Sequence, residues 1–224
     1  MTILREALLV AGKDLRIERR SRVALQQILP FGAIVVMLFA FALDGDRTLL
    51  PAVAPGLFWT AVLLAALLAV GRSFAVEEAN RARDALRMSG LDGAAIFLGK
   101  AAAITAELVL LELVVGVAVL ALYDVALRGV GLLICAALAA TVGLAATGTV
   151  YGVLSTGLRT RETLVPLLLL PAVTPVMLGG TRAFQAALDG VPSQGWQWVQ
   201  LLVAFAVLVV AAGTVVFGPL LEEA

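Results

Sequence analysis

Residues 129–158 read GVGLLICAALAATVGLAATGTVYGVLSTGL, thirty consecutive positions without a charged side chain. A bilayer core of about 30 Å is crossed by roughly 20 apolar residues in a helix, so this stretch predicts a membrane span. Outward from it the pattern repeats. Residues 23–43, 48–71, 163–181 and 196–221 are also free of Asp, Glu, Lys and Arg, and 101–123 is interrupted only by Glu107 and Glu112. The expected fold is all-α and polytopic, with six transmembrane helices at about 23–43, 49–71, 101–123, 130–157, 163–180 and 196–221. No linker or low-complexity tract divides the chain, so 1–224 reads as a single transmembrane domain.

Composition excludes several function classes. At 62% hydrophobic and 14% charged residues, with a mean hydropathy of +1.04, the chain does not read as a water-soluble domain. Sixteen basic and sixteen acidic residues cancel, which leaves no reason to expect nucleic acid as a partner. There is no histidine, so the usual general base, zinc ligand and haem axial ligand are all missing. Cys135 stands alone inside an apolar run, and Met37, Met88, Met177, Tyr123 and Tyr151 are scattered as packing residues are. No cofactor or metal is expected on this chain. With no Asp in any span, intramembrane hydrolysis lacks its groups, and the chain is not expected to be an enzyme.

Charge also orients the chain. Thirteen basic residues fall in 1–22, 72–100 and 158–162, against three in 44–47, 124–128 and 181–195. The positive-inside rule then places both termini in the cytoplasm and Trp196 and Trp198 at the opposite interface. The charged start followed by Ala40-Phe41-Ala42 imitates a signal peptide, but the apolar run at 23–43 is longer than such a segment carries. Residues 1–22 read as an interfacial helix, with Leu4, Leu8, Ala11 and Leu15 at helical spacing and Arg5, Lys13, Arg16, Arg19 and Arg20 on the polar side.

Residues 72–100 are too long for a turn. Their first half is helical in pattern, Ser89-Gly90 breaks it, and Asp92 is placed to cap a second short helix over 93–97 that leads to Lys100 at the cytoplasmic boundary. Such a helix–break–helix has the shape needed to pass force from a soluble motor. Gly93 and Gly99-Lys100 miss the spacing of a phosphate-binding loop, so an ATPase would have to be a separate subunit. Glu107 and Glu112 are candidates for an intramembrane function, about 140° apart around their helix and therefore not a paired acid and base. Gly148 and Gly152 carry the spacing of a close helix–helix interface. Pro166, Pro171 and Pro175 in one span suggest a bent, gating or cavity-lining helix.

The six spans, the amino-terminal helix and the cytoplasmic segment together resemble an ABC-2-type permease. Phe74-Ala75-Val76-Glu77-Glu78, Leu86-Arg87-Met88-Ser89-Gly90-Leu91-Asp92 and Ala95-Ile96-Phe97-Leu98-Gly99-Lys100-Ala101 narrow the resemblance to the haem exporter B family of cytochrome c maturation, CcmB. The proline-spaced run from Arg159 to Pro175 and the Phe217-Gly218-Pro219 ending match it too, and Gly90 departs from it where many members have proline.

The resemblance implies a permease in the bacterial inner membrane working with a cytoplasmic ABC ATPase, two copies of each. It also implies haem-handling membrane proteins and a periplasmic haem chaperone as further partners, besides membrane lipid. ATP would lie on the partner subunit and haem would be at most a transient substrate. The 72–100 segment is then expected to couple to the ATPase through Phe74, Leu86, Met88, Leu91, Ile96 and Lys100, with Glu77, Glu78 and Arg87 at the polar rim. The alternatives are a permease exporting a lipid or polysaccharide and a passive scaffold for haem-handling proteins.

The charge bias makes a direct prediction. Reporter fusions at Leu91 and after Ala224 should both report the cytoplasm, and periplasmic activity from either would contradict the map.

Overall fold

The computed structural model describes residues 2–22, 24–43, 48–79, 90–154 and 161–223. Its regular elements among these residues are all helices, with no strand. Helix α1 (Ile3–Ser21) ends on Arg22, whose left-handed φ of 55° turns its N–H back to the Glu18 carbonyl. A π turn (Ala24–Ile28) leads into α2 (Leu29–Ala42), which starts with Pro30 in its first turn, where a missing N–H costs nothing. The axes on either side of this junction differ by 60°.

The long helices follow. These are α3 (Leu49–Ala79), α4 (Gly93–Leu122), α5 (Val130–Leu154), α6 (Arg161–Ala172), α7 (Thr174–Leu188) and α8 (Pro192–Glu223). Among the described residues, four helices are long and apolar enough to cross a membrane: Leu49–Ala75, Gly93–Leu122, Val130–Leu154 and Pro192–Leu221. The bent pair Ile3–Ser21 and Gln26–Ala42 makes a fifth if taken as one span. The chain is a polytopic helical membrane protein.

Three expectations change in the structure. The short helix foreseen over 93–97 is not separate, because nothing between Phe97 and Ala101 breaks the ladder, and α4 runs 30 residues from its cap. That cap is Asp92, whose carboxylate accepts from the Ala94 N–H at 2.8 Å. Helix α3 likewise continues past Gly71 to Ala79. The proline-rich span foreseen over 163–180 is instead two helices meeting at Val173 (φ −91°, ψ 4°). Pro175 has no N–H to give the Pro171 carbonyl, which leaves the ladder open around Val173, and the helix restarts at Thr174. The Thr174 hydroxyl turns back to the Leu170 carbonyl at 3.4 Å.

Helix α5 is the hub, packed against α3, α4, α6, α7 and α8. Lipid supplies no hydrophobic drive between helices, so close approach through small residues does the work. Gly143 faces the Phe205 ring of α8, Gly148 faces Val70 of α3, and Gly152 lies directly on the Phe74 ring. Across α3 and α7, Phe58, Trp59 and Phe184 form a ring cluster with centroids 4.9–5.4 Å apart. Gly180 leaves room for the Trp59 indole, whose buried N–H has no acceptor. At the start of α4, a Cβ on Gly93 would come within 2.5 Å of the Gly218 Cα, so α4 and the last turns of α8 touch backbone to backbone. Gly190, at φ +76°, ends α7: its N–H reaches the Ala187 carbonyl and that of Val191 the Ala186 carbonyl, which closes the helix in a Schellman turn.

These contacts make Gly152 intolerant of even a methyl group. Gly152→Ala should lower stability in detergent by about 1–3 kcal/mol through overpacking. Gly131→Ala, with open space around its Cβ, should leave thermal unfolding unchanged.

Candidate functional site

Helix α1 runs in the same direction as α4, alongside its first four turns. The Asp92 N–H donates to Glu6 at 3.2 Å, and Gly99 meets Ala7 and Val10, where a Cβ would sit 2.6 Å from the Ala7 carbonyl. The face of α1 turned to the bundle is made of Ala7, Val10 and Ala11 followed by Asp14 and Glu18. Leu4 and Leu8, expected on the same apolar face as Ala11, point outward at 72% and 73% exposure. The reason is steric: only small side chains fit against Gly99.

Below this contact lies a charged cluster shared by three helices. Lys100 of α4 is 2% exposed, and its ammonium stands 3.5 Å from Asp14 Oδ2 and 3.5 Å from the Ser73 hydroxyl. The same ammonium lies 4.7 Å over the Phe74 ring, a cation–π placement. Asp14 Oδ1 pairs with Lys13 at 2.9 Å, while its Oδ2 accepts no hydrogen bond among the described residues and faces the Lys100 ammonium as an ion pair. Arg72 of α3 reaches Glu18 at 3.5 Å and donates to the Ser21 hydroxyl at 3.2 Å. Asp14, Glu18, Arg72, Ser73 and Glu107 line one small cavity, so Glu107 belongs with these charges and not with Glu112.

Glu112 sits deeper and is 7% exposed. It is hydrogen-bonded to the Thr141 hydroxyl of α5, and that hydroxyl also stands 2.8 Å from the Ala137 carbonyl. Glu112 forms part of the wall of a pocket of about 250 Å³ between α3, α4, α5 and α7, lined otherwise by apolar side chains such as Phe58, Leu113, Leu138 and Phe184. Nearer the other end of α4, the Tyr123 hydroxyl donates to the Val36 carbonyl of α2 at 2.7 Å. That bond occupies Tyr123 in holding two helices together. Among the described residues, no group of three His, Cys, Asp or Glu side chains could hold a metal.

The candidates from sequence divide clearly. Phe74 and Ile96 were expected as anchors for a partner, but both are buried in this chain's own core, Phe74 beneath Lys100 and against Gly152. Leu91 is half-buried and keeps surface to offer. Leu86, Arg87 and Met88 lie outside the described residues, as do the side chains of Glu77, Glu78 and Pro166. Pro171 is exposed in the last turn of α6 and Pro175 lies in the first turn of α7, so the two flank the break at Val173. Sequence reasoning missed Asp14, Glu18, Arg72 and Thr141 as members of these sites. The 7-11-14-18 spacing on α1 was the available signal: it sets two acids on the face that carries Ala7 and Ala11.

A family model described as "CcmB protein" matches residues 5–222. The chain is similar to "Heme exporter protein B" of Pseudomonas aeruginosa, 31% identical over 199 residues, which cover 88% of this chain and 89% of that protein. It is 32% identical over 168 residues to the protein of the same name from Bradyrhizobium diazoefficiens, with 74% of each covered. For the Haemophilus influenzae protein the figure is 28% over 212 residues, covering 94% and 92%.

The buried pair predicts non-additive energetics. Asp14→Asn should destabilise by about 3–5 kcal/mol, because it strands the buried Lys100 ammonium, and Lys100→Met should cost less, because Asp14 keeps Lys13. Lys100→Met with Asp14→Leu should recover most of the loss. Additive losses in a double-mutant cycle of detergent melting would show that the two charges do not depend on each other.

Proposed function

The chain belongs to the CcmB family, and from that premise we propose that it is the permease subunit of an ATP-driven haem exporter complex in c-type cytochrome biogenesis. Its ATPase is a separate cytoplasmic subunit, present with the permease in two copies each. ATP hydrolysis there drives haem delivery or the release of a haem-loaded periplasmic chaperone. The chain itself is not catalytic and holds no cofactor. It sits in the bacterial inner membrane with six spans and both ends cytoplasmic. The residues 24–42 supply the first span, α3, α4 and α5 the next three, α6 with α7 the broken fifth, and α8 the last. This order supports an ABC-2-type arrangement.

One observation carries the mechanism. Helix α4 is unbroken from its cap at Asp92 to Tyr123, about 45 Å at 1.5 Å per residue. Its first turns are clamped to α1 and to the end of α3 by Lys100, and its middle is bonded to α5 through Glu112 and Thr141. A push on the 72–100 segment would therefore move α1, α3 and α4 as one body and reach the Glu112 pocket without an intervening hinge. Such a displacement switches the bundle only if the ATPase contacts differ between its states. The break at Val173 and its flanking prolines supply a joint elsewhere in the bundle, where α6 and α7 can change angle.

The two ends of this lever can be damaged separately. Leu91→Asp should weaken ATPase association or uncouple hydrolysis while the chain remains inserted. Glu112→Leu should spare assembly and lower cytochrome c maturation, with Glu112→Gln restoring part of it. Normal assembly, ATPase coupling and maturation in Leu91→Asp would refute the docking model and favour the scaffold. Co-purification with lipid- or polysaccharide-handling proteins in place of haem-handling ones would favour the other permease reading.

A further inference from the structure

We infer that α1 carries a seat for the phosphate of an anionic phospholipid, formed by Arg16, Arg19 and Arg20 around Gly12 and Leu15 at the cytoplasmic edge of the bilayer. The inference rests on the reading above that this end of the bundle is cytoplasmic.

The argument starts from how α1 distributes its charge. Both acids in its second half, Asp14 and Glu18, face the bundle and are engaged there by Lys13, Lys100 and Arg72. Arg16, Arg19 and Arg20 lie on the opposite side, exposed, and none of the three forms a hydrogen bond or an ion pair among the described residues. At 100° per residue they fall within one sector of the helix together with Gly12. These residues and Leu15 line a single open groove, and a Cβ at Gly12 would touch nothing. The groove thus offers three guanidinium groups around an unobstructed floor, with no acid left to compete.

Its position selects the occupant. Glu18, the residue before Arg19, is bonded to Arg72, the residue at which the uncharged run of α3 ends. That is the level of the headgroups. The chain enters α2 and the lipid just beyond, after the bend at 22–26. Guanidinium groups bind phosphate in a forked geometry that ammonium groups cannot match, and basic residues on a helix at this depth bind anionic lipid. A lipid phosphodiester meets these arginines with its chains already in the bilayer.

Native mass spectrometry of the full chain, co-purified with its partner subunits, tests this with phosphatidylglycerol and phosphatidylcholine of identical acyl chains. Phosphatidylglycerol should be retained preferentially, and added salt should weaken that retention. Each single Arg→Gln change should lower the affinity about fivefold, and R16Q/R19Q/R20Q about 100-fold. Equal retention of the two lipids, or an undiminished preference in the triple variant, would overturn the proposal. So would complete displacement by inorganic phosphate, which would make free phosphate the ligand. Loss of the ATPase subunit from the triple variant with lipid retention unchanged would assign the arginines to a protein contact instead. Orientation is read independently, by labelling Ser21→Cys in a Cys135→Ser background with an impermeant maleimide. Labelling from outside the cell would sink the cytoplasmic placement without touching the lipid measurement.

Discussion

The charge on Lys100 has to be answered inside the protein, because at 2% exposure no water can do it. A buried ammonium without partners costs several kcal/mol, and here the partners come from two other helices: Asp14 from α1, Ser73 and the Phe74 ring from α3. That requirement fixes which face α1 presents, how closely it lies on α4, and where the end of α3 must be. The Phe74 ring has a second neighbour in Gly152, so the same constraint extends into α5 and from there to the rest of the bundle.

The membrane interior is ordered by a different economy. Its helices meet through glycine and alanine, and two of its polar groups are bonded across helices: Glu112 to Thr141, Tyr123 to Val36. A carboxyl at that depth is costly among the apolar walls of the 250 Å³ pocket, and the Thr141 hydroxyl offsets part of that cost with a hydrogen bond. Stiffness at the charged end and a proline-flanked break at Val173 divide the bundle into a part that transmits displacement and a part that can absorb it.

Spans were legible in the sequence because hydropathy over 20 residues is a local property. The cap at Asp92 was legible for the same reason. The charged cluster was not, since Asp14 and Glu107 stand 93 residues apart and each member reads alone as an ordinary membrane-edge charge. Glu107 illustrates this: its spacing from Lys100 suggests a deep carboxyl, whereas α1 and Arg72 reach it from helices that the spacing does not describe. Leu4 and Leu8 mislead in the opposite way. A hydrophobic stripe names an apolar face, but the glycine on the opposing helix decides that the face of small residues is buried.

The backbone contact between Gly93 and Gly218 bears on how the molecule comes into being. Helix α1 and the start of α4 can find each other early, once the first hundred residues have left the ribosome. Gly93 waits for a partner 125 residues further on, roughly 6–25 s later at about 5–20 residues per second. The cytoplasmic end of α4 is thus finished last, when the final helix has been made and inserted. A motor that needs this end complete would engage only whole chains, and a truncated or stalled one would offer it an unfinished surface.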